Sequence, residues 1–308
     1  MREDLKGKLV GILGADNVKE NESMCSVTTF RVGGPADFLC TPETEEQILA
    51  LTAFLREAGE PYFVLGSGSN LLVRDGGIRG VVIRLGGEFS RVTVKKTQDG
   101  ALLTAQAGTK LSAVGHEAAA QGLTGFEFAC GIPGSVGGAV RMNAGAYGGE
   151  MKDILQSARV LMPDGRILAC TPEDLQLSYR HSILDENGGL VLSAVFQLRE
   201  GDPEQITQRM RELAQKRREK QPLEYPSAGS TFKRPEGYFA GKLIMDAGLK
   251  GFTVGGAQVS EKHAGFVINR GGATASDIEE LIARVQEKVF SQTGVRLEPE
   301  VKIVGERL

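Results

Sequence analysis

Gly131-Ile132-Pro133-Gly134-Ser135-Val136-Gly137-Gly138-Ala139-Val140-Arg141-Met142-Asn143-Ala144-Gly145-Ala146-Tyr147-Gly148-Gly149 carries seven glycines in nineteen positions. A mobile surface loop would be more polar than this one, in which Ile132, Pro133, Val136 and Val140 interleave with the glycines. The stretch therefore reads as backbone laid flat against a ring system or a pyrophosphate, where bulky side chains would prevent close approach. A shorter loop lies about 65 residues upstream, Gly66-Ser67-Gly68-Ser69-Asn70, directly after an apolar run predicted as a strand, Tyr62–Leu65. Taken alone, that G-x-G reads equally well as a tight turn. Together the two loops predict one extended nucleotide gripped from two sides. Neither is a dinucleotide fingerprint, because position 71 is leucine where a third glycine is needed. Nor does the chain hold a phosphate loop, since Gly241-Lys242 is followed by Leu243.

Around these loops the composition is that of an ordinary globular chain. Of 308 residues, 41% are hydrophobic and 24% charged, which excludes wholesale disorder. The outlier is glycine, 41 residues, with no collagen period. A net charge of -3 argues against a dedicated nucleic-acid binder. The N-terminus is charged almost from the start, and no apolar run approaches the roughly 18 residues of a membrane span, so a cytoplasmic protein with no membrane partner is expected. Cys25, Cys40, Cys130 and Cys170 form no C-x-x-C pair, and His116, His181 and His263 are scattered, so neither a disulfide framework nor a metal site is expected.

The first third alternates helix and strand. Thr41-Pro42 is expected to open a helix whose apolar face is Ile48, Leu51, Leu55 and Ala58 and which Gly59 ends. Strands are expected at 71–74 and 81–85, divided by the turn Asp75-Gly76-Gly77. The middle third predicts a strand at 101–107, a helix at 110–121, a hairpin of 158–162 and 166–170 about Pro163-Asp164-Gly165, and a strand at 190–198. A charged helix over Pro203–Lys220 leads into the last third. There Ser276 and Glu279 read as a capping box, Ile278, Leu281, Ile282, Val285 and Val289 as the apolar stripe, and 295–304 as a closing strand.

Several motifs now fall in one order. Thr29-Phe30-Arg31-Val32-Gly33-Gly34-Pro35-Ala36-Asp37 precedes the first glycine loop with its Leu71-Leu72; the second glycine loop follows. Then come Ser178-Tyr179-Arg180-His181-Ser182, Ala228-Gly229-Ser230-Thr231-Phe232-Lys233 and Leu297-Glu298-Pro299-Glu300-Val301. In this order and at these intervals the chain resembles the UDP-N-acetylenolpyruvoylglucosamine reductase family from about residue 25 to 305. The short interval from Tyr179-Arg180 to Ser230 resembles its compact type.

The resemblance implies an α+β protein. Its FAD-binding fold has two subdomains of the p-cresol methylhydroxylase and vanillyl-alcohol oxidase type, over 1–90 and 91–200, and a C-terminal α+β substrate-binding domain follows over 201–308. It implies non-covalent FAD, NADPH as reductant and the enolpyruvyl ether of UDP-N-acetylglucosamine as substrate, in peptidoglycan precursor synthesis. Gly66, Ser67, Gly68, Ser69, Asn70, Leu71, Ile132, Pro133, Gly134, Ser135, Gly137, Gly138 and Asn143 would then contact the cofactor. Arg180 would hold the substrate carboxylate, Ser230 would donate the proton and Glu300 would steady the enol form. Tyr179, Lys220, Lys233, Arg234 and His263 would grip the substrate. Read from the residues alone, Glu300 belongs with Arg296, Glu298 and Lys302 on the solvent face of the expected last strand. The basic run Lys216-Arg217-Arg218 with Lys220 reads equally as a solvated helix end. Two rival functions share these features: another flavoprotein oxidase of the same fold, and a sugar-nucleotide-binding protein without redox work.

Overall fold

The computed structural model describes residues 2–308, with side chains from residue 4 onward. The chain divides into two units. One holds the residues up to Lys19, Leu39–Ser67 and Val81–Lys216; the other holds Glu20–Phe38, Gly68–Gly80 and Arg217–Leu308.

The first unit is built on an antiparallel sheet in which Ile167–Cys170, Leu155–Leu161, Leu190–Glu200, Gly100–Gln106 and Val92–Thr97 lie side by side in that order. The expected hairpin about Pro163-Asp164-Gly165 is its edge, with Ala158 opposite Cys170 and Leu161 opposite Ile167. Alternation puts Leu103, Ala105, Ala158, Val160, Ala194 and Phe196 on one buried face, where they pack with Leu111, Val114 and Val140. Apart from this sheet, Tyr62–Leu65 runs parallel to the strand Ile78–Arg84, Leu65 standing opposite Arg84. The two chain segments that follow Leu65 and Arg84 therefore leave at the same level.

One helix of this unit starts later than expected. It spans Glu45–Ala58 and is capped by Thr44, whose hydroxyl accepts the Gln47 N–H, rather than starting at Thr41. Glu45 and Glu46 then occupy the first turn, where a negative charge suits the exposed N–H groups. Gly59 ends the helix in a left-handed conformation, as expected.

The second unit packs Ala240–Asp246 and Ala275–Thr293 against a three-stranded antiparallel sheet of Thr253–Val254, Ala257–Val259 and Val267–Asn269. Its long helix buries the expected stripe Ile278, Leu281, Ile282, Val285 and Val289. Its capping box is Thr274 with Asp277, two residues before the expected pair. Both expected partners are engaged elsewhere. Ser276 meets Asp75, which also accepts the Ala275 N–H at 2.8 Å, and Glu279 pairs with Arg74 at 3.1 Å. A cap contributed from 200 residues away could not be read from local spacing.

The closing strand is also shorter than expected. Only Lys302–Val304 is extended in a sheet, parallel to Leu71–Val73. Residues 295–301 are irregular, and Pro299 has no N–H to give a ladder. No helix among the described residues is long and apolar enough to cross a membrane.

Candidate functional site

The first unit contains a cavity of about 520 Å³. Its lining includes Gly66 and Ser67 from the short glycine loop, Ser135, Gly137 and Gly138 from the long one, and the turn Gly108-Thr109-Lys110. The two loops are in contact here. A Cβ on Gly66 would stand 2.8 Å from the Ser135 hydroxyl, and one on Gly137 would stand 3.0 Å from the Ala107 Cβ. Backbone bonds hold the long loop in place, since the Val136 N–H donates to the Thr109 carbonyl at 2.9 Å and the Gly137 N–H to that of Ala107 at 2.8 Å.

The polar groups of this cavity suit an anionic nucleotide. Ser135 is 5% exposed, and its hydroxyl has no hydrogen-bond partner among the described residues. Arg84 and Lys110 line the wall, and neither forms an ion pair among the described residues. Arg141 is neutralised by Asp185 at 2.9 Å. Bare backbone, an unpartnered hydroxyl and two uncompensated cations match a diphosphate beside a flat ring, so the residues present fit FAD.

Sequence reasoning missed Arg84, Gly86, Lys110 and Arg141 as lining residues. Arg84 comes to the cavity because its strand pairs in register with Tyr62–Leu65, and no local signal reports that pairing. Arg141 lies inside the long loop, where a search for cations would have found it, whereas Lys110 flanks neither loop and reaches the cavity through the turn Gly108-Thr109-Lys110.

The other residues of the expected cofactor set are not among those lining this cavity. From Gly68 onward the short loop belongs to the second unit. Gly68 is left-handed, φ 62°, and a Cβ there would meet the Val27 carbonyl at 2.4 Å. Ser69 is half-buried beside it. Asn70 donates its side-chain amide to the Glu300 carbonyl at 3.1 Å, and Leu71 opens the strand paired with Lys302. In the long loop Ile132 packs on the core of the first unit, Pro133 is exposed, and the Gly134 carbonyl accepts the Leu111 N–H at 3.0 Å. Asn143 is fully buried.

Arg180 sits in the first unit at the tip of a tight turn closed by reciprocal backbone bonds between Ser178 and His181, both 3.2 Å. It is left-handed, φ 55°, half-buried, and its guanidinium donates to the Gly145 carbonyl at 3.1 Å and stands 5.1 Å from the Tyr179 ring. Tyr179 is 45% exposed.

Ser230 and Glu300 are brought together in the second unit. The link is Thr231, 1% exposed, whose carbonyl accepts the Glu300 N–H at 2.8 Å and whose N–H donates to the Gly265 carbonyl at 2.8 Å. Its hydroxyl accepts the Val267 N–H at 2.9 Å. Two remote chain segments, Gly265 to Val267 and that of Glu300, are thereby fixed to one residue next to Ser230. Glu300 is half-buried rather than on a solvent face, because its segment is not a strand and the alternation argument does not apply. Lys233 pairs with Glu298, and the Arg234 guanidinium lies 3.9 Å from the Phe239 ring centroid. Lys220 is exposed at its helix end, close enough to His263 to affect it. Burial first, then the charges of Lys220 and Lys250, push the His263 imidazole below its ordinary pKa despite an opposing backbone hydrogen bond.

The family model described as an FAD binding domain matches residues 36–171. That described as the C-terminal domain of UDP-N-acetylenolpyruvoylglucosamine reductase matches residues 221–304. The reductase of that name from Lachnoclostridium phytofermentans is 52% identical over 98% of this chain and 97% of its own. That from Clostridioides difficile is 50% identical over 99% of each. The crystal structure of the Thermus caldophilus reductase superposes with a TM-score of 0.79 at 42% identity, covering 94% of this chain and 98% of that one. A Phl p 4 variant described as a glucose oxidase reaches a TM-score of 0.51 at 14% identity, over 65% of this chain and 44% of its own, a likeness of fold alone. Fold and cavity thus define an α+β protein with an FAD-binding domain and a separate C-terminal domain. The identities, spread over nearly the whole length, narrow this further: the chain belongs to the UDP-N-acetylenolpyruvoylglucosamine reductase family.

Proposed function

We infer that this protein is an NADPH-dependent flavoenzyme of the cytoplasm. It reduces the enolpyruvyl ether of UDP-N-acetylglucosamine to the lactyl ether, UDP-N-acetylmuramate, in peptidoglycan precursor synthesis. Membership of the family supports the reaction, and the 520 Å³ cavity between the two glycine loops is the observation that carries it. FAD, bound there, supplies hydride acceptance from NADPH and hydride donation to the double bond. Gly66, Ser67, Ser135, Gly137 and Gly138 would hold it, with Arg84 and Lys110 facing its diphosphate. The division at residues 90 and 200 into two FAD-binding subdomains and a substrate-binding domain belongs to the same reading.

The chain's own side chains handle the charge that develops on the substrate. As the terminal carbon gains hydride, negative charge grows on the neighbouring carbon and spreads into its carboxylate. Arg180, always charged and able to grip a carboxylate at two points, stabilises that charge. The Ser230 hydroxyl gives its proton to the same carbon, and Glu300, held beside it through Thr231, steadies the enol form. Lys220 takes the diphosphate, and Tyr179, Lys233, Arg234 and His263 complete the substrate contacts.

One experiment tests the reading. The purified protein should be yellow, bleach when NADPH is added without oxygen, and regain colour when the enolpyruvyl sugar nucleotide follows. A colourless protein that takes up no FAD rejects the flavoenzyme. Recolouring by oxygen but not by the sugar nucleotide indicates an oxidase instead.

A further inference from the structure

The side-chain amide of Asn143, fully buried, is occupied on both its nitrogen and its oxygen. Its nitrogen donates to the Glu150 carboxylate and to the Ser178 carbonyl, both at 2.9 Å. Its oxygen accepts the Lys152 N–H at 2.9 Å. Two N–H donors are all that an amide nitrogen has, so neither is left for a ligand. The residue itself is left-handed, φ 44°, a conformation that asparagine tolerates better than most side chains.

Its three partners belong to the structures that carry Arg180. Ser178 is the base of the turn that has Arg180 at its tip. Glu150 lies opposite Gly145 in a two-stranded hairpin, and the Gly145 carbonyl receives the Arg180 guanidinium. Lys152, beyond that hairpin, also pairs with Glu150 at 3.0 Å. Arg180 is thus fixed twice, by its backbone through Ser178 and by its side chain through Gly145, and Asn143 joins the two fixings. The charge balance agrees. Burial pushes the Glu150 carboxyl up, but hydrogen bonds from Lys152 and Asn143 and the charges of Lys152 and Arg180 outweigh it and hold it below its ordinary range.

We propose that Asn143 is a positioning residue for Arg180, setting the direction in which its guanidinium meets the substrate carboxylate, and is not a flavin contact. This rests on the reading of Arg180 given above. The chemistry admits few substitutes. Aspartate has no N–H for the Ser178 carbonyl and places a second negative charge against Glu150, while alanine removes all three bonds and with them the link between the turn and the hairpin.

The test follows the two half-reactions by anaerobic stopped flow on FAD-loaded protein: Asn143→Asp, Arg180→Ala and the double variant. Asn143→Asp is expected to slow reoxidation of the reduced flavin by the enolpyruvyl sugar nucleotide about 10- to 100-fold, the usual result of misplacing a catalytic group by a fraction of an ångström to an ångström. FAD content, visible spectrum and reduction by NADPH should stay within about twofold of the parent, as expected for a group that acts only on substrate. In the Arg180→Ala background Asn143→Asp should slow reoxidation no further, because no guanidinium remains to be aimed. Losses that multiply in the double variant, or an equal loss in both half-reactions, overturn the proposal. If Asn143→Asp does not accumulate as folded protein, Glu150→Ala decides. Freeing one amide N–H should slow reoxidation alone by several-fold, again without effect on top of Arg180→Ala, and any other pattern overturns it. Failure of the unmodified protein to bleach and recolour refutes the enzyme reading itself, which separates the two failures.

Discussion

A methyl group at residue 66 should weaken FAD binding through one identifiable atom. Gly66 has an ordinary backbone conformation, so alanine there brings no strain of its own, and its Cβ would stand 2.8 Å from the Ser135 hydroxyl. The next atom is the Gly138 Cα at 4.0 Å, an ordinary contact. A carbon needs about 3.4 Å or more from its neighbour, so Ser135 must turn into the cavity or the loop must give way. In the free protein that adjustment meets only solvent. With the cavity filled by FAD, it costs about 1–3 kcal/mol, the usual range for one methyl forced into a packed site. That corresponds to a dissociation constant about 5- to 150-fold higher. The assay is a titration of apoprotein with FAD by quenching of flavin fluorescence. Ser135→Ala supplies the control, because it removes the struck atom; in that background Gly66→Ala should weaken binding by less than about threefold. Two results would refute the reasoning: Gly66→Ala binding FAD as the parent does, or the same loss with and without the Ser135 hydroxyl.

Three further outcomes follow from the geometry. Glu300→Gln should slow reoxidation of the flavin by the enolpyruvyl sugar nucleotide about 100-fold or more and leave reduction by NADPH unchanged, as expected for loss of a group acting on the enol; equal loss in both steps removes Glu300 from that role. Lys220→Ala should raise the KM for the sugar nucleotide and, by removing one of the positive charges near His263, raise the imidazole pKa seen by NMR; an unmoved KM takes Lys220 out of the substrate grip. Asp75→Ala should cost about 1–2 kcal/mol in urea unfolding, the scale of a lost helix cap. Burial pushes the Asp75 carboxyl up, but the Ser276 hydroxyl and the Ala275 and Ser276 N–H groups outweigh it and keep it below its ordinary value. Its contribution is therefore complete above the unfolded pKa of about 4 and is lost as pH falls through the lower folded value, so parent and variant should differ steadily from pH 8 to 5 and converge in acid.

What the sequence revealed was local. The helix stops at Gly59 and Gly294, the hairpin about Pro163-Asp164-Gly165 and the stripe from Ile278 to Val289 follow from glycine geometry and apolar period, and all are present. Pairing at a distance was hidden. Asp75 capping a helix at Ala275, Arg84 aligned with Leu65 and Leu71–Val73 aligned with Lys302–Val304 depend on register between remote segments. The glycines nearest the cavity were found from composition, yet the cations beside them were not, because an arginine at a strand end looks like any other. Asn143 shows the reverse error. An asparagine inside a glycine-rich loop reads as a ligand contact, and only its buried, fully bonded amide reveals a different use.

The second unit draws on three stretches of chain, and its strand Leu71–Val73 finds its parallel partner some 230 residues later at Lys302–Val304. On the ribosome, Phe30, Val32 and Leu72 emerge before the remaining members of their core, which run from Ala228 to Val301, are made. At about 5–20 residues per second, those apolar side chains wait for tens of seconds or less before they can be covered. Until residues 302–304 are made, Leu71–Val73 therefore presents an unpaired strand edge, a surface open to pairing with another chain.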